Sequence, residues 1–263
     1  MAGQHNTRIK SGLTSQGFYV ASPGGTSYGY NNNRSIERVI GMMDKALDAA
    51  KSAPPTAAGD APPAEAALAP IGVSVARVFT RIRPVPVGSD PANNNVARDH
   101  LWIYPSDVLA LAQLPPSGGK LPEALARRLA RFHFVDNVRG EPNMWSDSEV
   151  AKLDLRVVPD PEHKGKLRAF KIQGSFLTAS TKDAHGMEGT VDGWISIDEV
   201  STRVTQLYVV VDALAWGSGS YTKNPPPGRF PVVIGIQIVG DAMSRRVPPQ
   251  GYLWGDAYRT GRG

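Results

Sequence analysis

The sequence predicts an α+β protein: a curved antiparallel β-sheet of about five to seven strands packed on one main helix, with an extended N-terminal arm carrying a single helix. Three observations predict it. Leu121, Leu125, Leu129 and Phe132 recur at helical spacing around Pro122; a proline suits the first turn of a helix, where its missing N–H has no partner. Beyond Trp145 the apolar period becomes that of a strand, as Leu153, Leu155 and Val157 alternate with Lys152, Asp154 and Arg156. The connections between the later apolar runs are short, which implies antiparallel neighbours.

In chain order, residues 1–33 are rich in Gly, Ser, Thr and Asn, a composition that buries too little apolar surface to order itself. They are read as an arm that lies along another protein as an added strand. Within them Gly25-Thr26-Ser27-Tyr28-Gly29 matches the G-x-S-x-G nucleophile pattern. That chemistry needs a strand, a sharp turn and a helix around the serine. Too little chain precedes Ser27 to build the sheet, so the match is read as chance. Residues 34–51 form a helix capped by Ser35, with Ile36, Val39, Ile40, Met43 and Leu47 in one narrow stripe. A lone helix of this length is marginal in water, so the stripe needs a surface, its own domain or a neighbour, and is read as an interaction helix. Residues 53–70 are an Ala/Pro linker that spans up to about 60 Å fully stretched. The chain thus divides into an arm (1–52), the linker (53–70), a β-rich domain (71–250) and a basic-aromatic tail (251–263).

The domain opens with a strand at Gly72 to Ile82, stopped by Pro84 and Pro86, then a loop from Gly88 to Asn95. A short strand from Leu101 to Tyr104 leads into a short helix, Pro105 to Gln113. The run Pro115-Pro116-Ser117-Gly118-Gly119 turns the chain into the main helix. That helix is expected to stop near Phe132 or His133, because Phe134 falls off the stripe. Arg127, Arg128 and Arg131 lie on another side and read as a solvated face. Strands follow at 153–157, 170–176, 187–197, 204–213 and 231–239, with a turn from Pro159 to Lys166. Val209-Val210-Val211 is apolar on both faces, which predicts a central strand covered on each side.

Totals exclude several classes of function. Lys and Arg outnumber Asp and Glu by 29 to 24, for a net charge of +5. That excess is compatible with an anionic partner surface but falls short of the dense basic stripe of nucleic-acid binders, and nucleic acid is not expected as a partner. The tail does mix Arg245, Arg246, Arg259 and Arg262 with Tyr252, Trp254 and Tyr258. Such a mixture can bind nucleic acid by charge plus stacking, but more commonly it docks on its own domain or on another subunit. The absence of cysteine excludes disulfides and thiolate ligands. His5, His100, His133, His163 and His185 share no metal-ligand spacing, and no phosphate-binding glycine loop is present; neither metal nor cofactor is expected. Asp99-His100 is the one close acid–His pair and reads as a surface turn. No apolar run is long enough for a transmembrane helix. Residues 1–30 lack the order of a secretory leader, so the chain is intracellular as written, or belongs to the cell envelope or exterior if a leader was removed.

His133, Asp136, Arg139 and Glu141 precede Trp145 in a polar turn. They make either a charged site or an ion-paired turn that fixes how the helix meets the sheet. The long loop from Trp216 to Arg229 is either a binding element or a brace. As a binding element, Trp216 and Tyr221 stack on a sugar or base and Arg229 pairs with an anion. As a brace, Trp216 packs over a sheet edge.

Residues 131–145, RFHFVDNVRGEPNMW, resemble the R-F-H-[LF]-V-D-N-V-R-G stretch of a family of uncharacterised planctomycete proteins, most of them exported. The similarity continues through Trp216-Gly217-Ser218-Gly219-Ser220-Tyr221-Thr222, Pro227-Gly228-Arg229 and the apolar run 231–239, and covers about 95–245. The resemblance implies one domain over 71–250 and an exported relative; it carries no reaction and no catalytic residue. The first functional reading is therefore a non-catalytic structural or accessory protein that joins other protein subunits through its arm. The alternative is an exported module binding a carbohydrate or anion in a cleft between the 133–145 turn and the 216–229 loop. The third is a hydrolase using Asp136, Glu141 or His133.

Overall fold

A computed structural model describes residues 17–22, 26–32, 35–53, 69–84, 96–142, 144–160, 167–180 and 185–262. The expected linker over 53–70, the loop from Gly88 to Asn95 and the turn from Pro159 to Lys166 lie largely or wholly outside the described residues. The chain forms two compact units, Met1–Ala66 and Ala67–Gly263.

The first unit departs from the expected unstructured arm. β1 (Phe18–Ala21) and β2 (Ser27–Asn31) pair antiparallel, with Tyr19 opposite Tyr30 and their ring centroids 4.7 Å apart. Each strand is too short for its alternation to stand out in the sequence. Ser27 opens a hairpin strand, so the G-x-S-x-G match has no strand–turn–helix elbow behind it. α1 (Ile36–Ser52) begins at Ser35, whose side chain accepts a hydrogen bond from the Arg38 N–H. Gly29 of β2 sits over this helix: a Cβ there would lie 2.7 Å from the Met42 sulfur and 3.2 Å from the Ala46 methyl. Ala46 is fully buried. The hairpin thus packs on α1 at Met42 and Ala46 and leaves Ile36, Ile40, Met43 and Leu47 exposed.

The second unit is built on one eight-stranded antiparallel sheet. Its strands are β3 (Ser74–Ile82), β4 (Val96–Ile103), β5 (Gly119–Lys120), β6 (Val150–Pro159), β7 (Arg168–Ala179), β8 (Gly186–Asp198), β9 (Arg203–Trp216) and β10 (Arg229–Val239). They lie in the order β4-β3-β10-β9-β8-β7-β6-β5. From β6 to β10 this is a meander, which short connections favour as far as β9 and which the long 216–229 loop continues to β10. Eight strands exceed the five to seven expected; β5, with only two residues, shows no period of its own.

α2 (Pro105–Ala112) and α3 (Glu123–Arg128) contribute to the core on one face of the sheet. Val108, Leu111, Leu121, Leu125 and Leu129 share a single core with Leu155, Ile172, Val191, Ile195, Val209, Val211 and Ile234. Each such side chain contributes about 1.5–3 kcal/mol on full burial. α3 continues into a π turn over Leu129–His133, closed by the Phe134 N–H donating to the Leu129 carbonyl at 2.8 Å. The extra residue in that turn changes which side chains face the sheet. Phe134, expected off the stripe, is fully buried with its ring centroid 4.5 Å from that of Phe176. Phe132 belongs to a second cluster with Val73, Val75, Trp102 and Tyr258.

β9 is a central strand, but only one of its faces is covered. Val209 and Val211 are buried, whereas Val210 is 54% exposed. The expected cover on the second face is absent among the described residues. The opposite problem, the free edge of β4, is handled by the C-terminal residues. The Trp102 N–H donates to the Tyr258 hydroxyl at 3.2 Å, and the Gln250 N–H donates to Asp99 at 2.8 Å. Those contacts occupy backbone and side-chain groups that an open edge would offer to another chain.

Candidate functional site

The turn after the π helix is tied shut at its base. Arg131 donates from Nε to the Trp145 carbonyl (2.8 Å), the Trp145 N–H donates to the Arg131 carbonyl (3.1 Å), and Trp145 Nε1 donates to the Phe134 carbonyl (3.0 Å). Inside the turn, Asp136 accepts from the backbone N–H of Val138 and of Arg139 and is ion-paired with Arg139 Nε. The remaining guanidinium nitrogens of Arg139 donate to the carbonyls of Thr222 (2.9 Å), Lys223 (3.2 Å) and Gly217 (3.0 Å). Its plane also lies over the Phe230 ring, 5.1 Å from the centroid. The 133–145 turn and the 216–229 loop therefore do meet, and Arg139 is the tie. With each of its three nitrogens already engaged, Arg139 serves as a structural tie between the two segments. Gly140 permits the approach: a Cβ there would lie 2.2 Å from the Tyr221 carbonyl oxygen.

The other loop residues are also engaged. Trp216 pairs in register with Gly186 on one side and Arg229 on the other. A Cβ at Gly186 would collide with the indole, and the Arg229 guanidinium lies 4.3 Å from its centroid. Arg229 is ion-paired with Glu188 as well. Trp216 is thus a packed layer between a strand and a cation. Tyr221, by contrast, is exposed, and borders an open groove with Glu141, Pro142, Met144, Trp145 and Trp254.

His133 takes no part in that groove. It is buried, with Nε2 3.0 Å from the Tyr258 hydroxyl and Nδ1 3.2 Å from Asp99, a separation close enough for electrostatic contact but misaligned for a hydrogen bond. Asp99 therefore faces His133 across the fold and also accepts the His100 backbone N–H at 2.7 Å. Burial pushes the Tyr258 hydroxyl well above the ordinary tyrosine range.

The arginines read as a solvated face are mostly inside. Arg128 is fully buried, donating to Asp107 at 2.7 Å and to the carbonyls of Tyr258 (2.8 Å), Trp102 (3.3 Å) and Arg259. Arg131 donates to the carbonyls of Trp145 and Gly261, and burial lowers its affinity for the proton. Arg127 alone stays near the surface, bridging Glu123 and Asp147. The tail, residues 251–262, docks on the domain itself. Its helix, α4 (Asp256–Thr260), carries Tyr258 into the interior. Its remaining basic residues find acidic partners: Arg259 pairs with Asp256 and Arg262 with Glu123.

On α1 the expected interaction residues point outward. Ile36 is 72% exposed, Ile40 53%, Met43 53% and Leu47 54%, with Val39 partly buried beside them. On the open face of the sheet stand two aromatics that the sequence reading passed over, Trp194 and Tyr208. The signal for them was present: both fall on the polar phase of strands whose other phase is Val191, Ile195, Leu207 and Val209.

Among the described residues no three His, Asp or Glu side chains group as metal ligands do, and no helix is long and apolar enough to cross a membrane. No family model matches the chain, and neither a curated protein nor a solved structure matches it.

Proposed function

We propose that this protein is a non-catalytic structural or accessory component that joins a protein assembly through its N-terminal unit, with α1 as the docking element. One observation carries the reading. Four large apolar side chains, Ile36, Ile40, Met43 and Leu47, lie in one stripe and are each at least half exposed. The flank of the helix at Met42 and Ala46 is already occupied by the hairpin. An apolar stripe left open in this way marks an interaction surface. Covering the exposed half of each side chain contributes roughly 1–1.5 kcal/mol per residue. The spacing of three and four residues suits another helix or a shallow groove as the partner. Solution mass by light scattering tests this on the full chain and on an Ile40→Asp/Leu47→Asp variant, at low and high salt. The full chain is expected above monomer mass and the variant at it, with unchanged circular dichroism. Identical masses for the two overturn the reading.

A second reading, a module binding a small ligand in the groove beside the 133–145 turn, draws support from the convergence there of Trp145, Tyr221 and Trp254. That such a module is exported rests on the family resemblance alone. Tyr221→Ala is its test, because that ring is exposed and its loss leaves the Arg139 tie intact. A hydrolase using Asp136, Glu141 or His133 draws no comparable support, since Asp136 is held by Arg139 and His133 by Tyr258.

A further inference from the structure

We infer that the open face of the sheet carries a saccharide-binding platform centred on Trp194 and Tyr208. These two residues are directly opposite each other on β8 and β9, with ring centroids 5.4 Å apart and planes tilted by 42°. Both point away from the core and remain 47% and 42% exposed. A cross-strand aromatic pair adds stability to a sheet, but that role is served by contact between the rings and leaves their outer surfaces unused. Sited on adjacent central strands, the rings are held more rigidly than loop residues would be.

The neighbouring positions distinguish this patch from a purely apolar protein-docking surface. The row through the pair reads Gln237, Tyr208, Trp194, Lys171 across β10, β9, β8 and β7. The next row places Asp192 opposite Val210, and Val210 opposite Gly235. A Cβ on Gly235 would meet nothing within 4 Å, so beside Val210 the face is open space. Gln237, Lys171 and Asp192 are exposed, and their side chains make no hydrogen bond or ion pair among the described residues. An amide, an ammonium and a carboxylate at the edges of an aromatic shelf supply both donors and acceptors. That is the chemistry of a sugar ring, whose C–H face stacks on an aromatic face and whose hydroxyl groups both donate and accept at its rim. Single-stranded nucleic acid would also stack on the rings. Its phosphates would meet Asp192 and the exposed Asp212 among the cations Lys171 and Arg77 of the same face, a mixed surface rather than the continuous basic groove that tracks phosphates. The platform is independent of α1 and of the groove beside Trp145.

Calorimetric titration of the full chain with soluble oligosaccharides tests the assignment, using cello-, xylo-, manno-, malto- and chito-oligosaccharides as probes and tryptophan emission as a second readout. At least one class is expected to bind and to shift the emission. Trp194→Ala and Tyr208→Ala are each expected to lower that affinity about tenfold or more, with melting temperature near that of the parent chain. Asp192→Asn, which keeps the shape and removes the charge, is expected to weaken binding less than either ring deletion. Absence of binding by every probe overturns the proposal. So does binding that survives Trp194→Ala, or that is lost in Tyr221→Ala instead, which would assign the saccharide to the groove. A Trp194→Ala chain that changes solution mass rather than saccharide affinity would make the face a protein interface, and would also overturn it.

Discussion

Removing the carboxylate of Asp107 should be among the most damaging single changes available in this protein. Asp107 and Arg128 are both almost wholly buried, 2.7 Å apart. Asp107 also accepts from the Tyr104 N–H at 2.8 Å, closing the first turn of α2. Arg128 in turn holds the carbonyls of Trp102, Tyr258 and Arg259, so one side chain joins β4 and α4 to α3. In Asp107→Ala the guanidinium keeps those carbonyls but loses its counter-charge in a place water does not reach. Breaking a buried pair in this way costs about 3–5 kcal/mol. For a unit the size of Ala67–Gly263 that corresponds to a melting temperature lower by roughly 6–20 °C. Urea unfolding followed by circular dichroism is the assay, with thermal melting alongside. An Asp107→Leu/Arg128→Met double variant no longer buries a lone charge. Its loss comes instead from the three carbonyls that Arg128 no longer satisfies, at about 1–3 kcal/mol each. If Asp107→Ala lies within about 1 kcal/mol of the parent, the guanidinium is reaching solvent or another anion, and the account of the clamp is wrong.

Three further substitutions have expected outcomes. Tyr258 is buried as the neutral phenol, with its hydroxyl pushed well above the ordinary value, and burial raises Tyr104 in the same direction. Above about pH 10 the unfolded chain loses these protons while the folded one keeps them, so stability should fall with rising pH by up to about 1.4 kcal/mol per unit for each such group. Below that pH the contribution is fully present. Tyr258→Phe should flatten the decline in urea titrations between pH 9 and 11, and an unchanged slope would show that Tyr258 ionises in the folded state. At the entrance to β5, Gly118 has φ +80° and its Cβ would lie 2.2 Å from the Val157 carbonyl oxygen. Gly118→Ala should therefore cost about 1–3 kcal/mol in the same assay, whereas Gly41→Ala, mid-helix with open space around it, should be neutral or slightly stabilising.

Much of this molecule is local, and the local part was legible. Strands whose two faces differ announce themselves by alternation, as β6 does with Leu155 and Val157 inward against Asp154 and Arg156 outward. The stripe on α1 is a property of one helix and was readable down to its individual residues. The hairpin of β1 and β2 and the two-residue β5 were not, because a period needs more repeats than those segments contain.

Charge and partnership were decided elsewhere. Arg128 and Arg127 are adjacent in sequence and indistinguishable by pattern, yet one is fully buried and the other reaches solvent. What separates them is Asp107 and the carbonyls of α4, up to 131 residues away. Asp99 faces the distant His133 as well as its neighbour His100 for the same reason. Sequence periodicity determined which of the longer segments form helices and strands and, outside the π turn, which residues share a face, because those depend on neighbours three, four or two positions away. Tertiary structure alone decided which charges lie in the interior and which apolar faces stay uncovered. Both depend on what another segment brings within hydrogen-bonding or van der Waals distance, and chain distance carries no information about that.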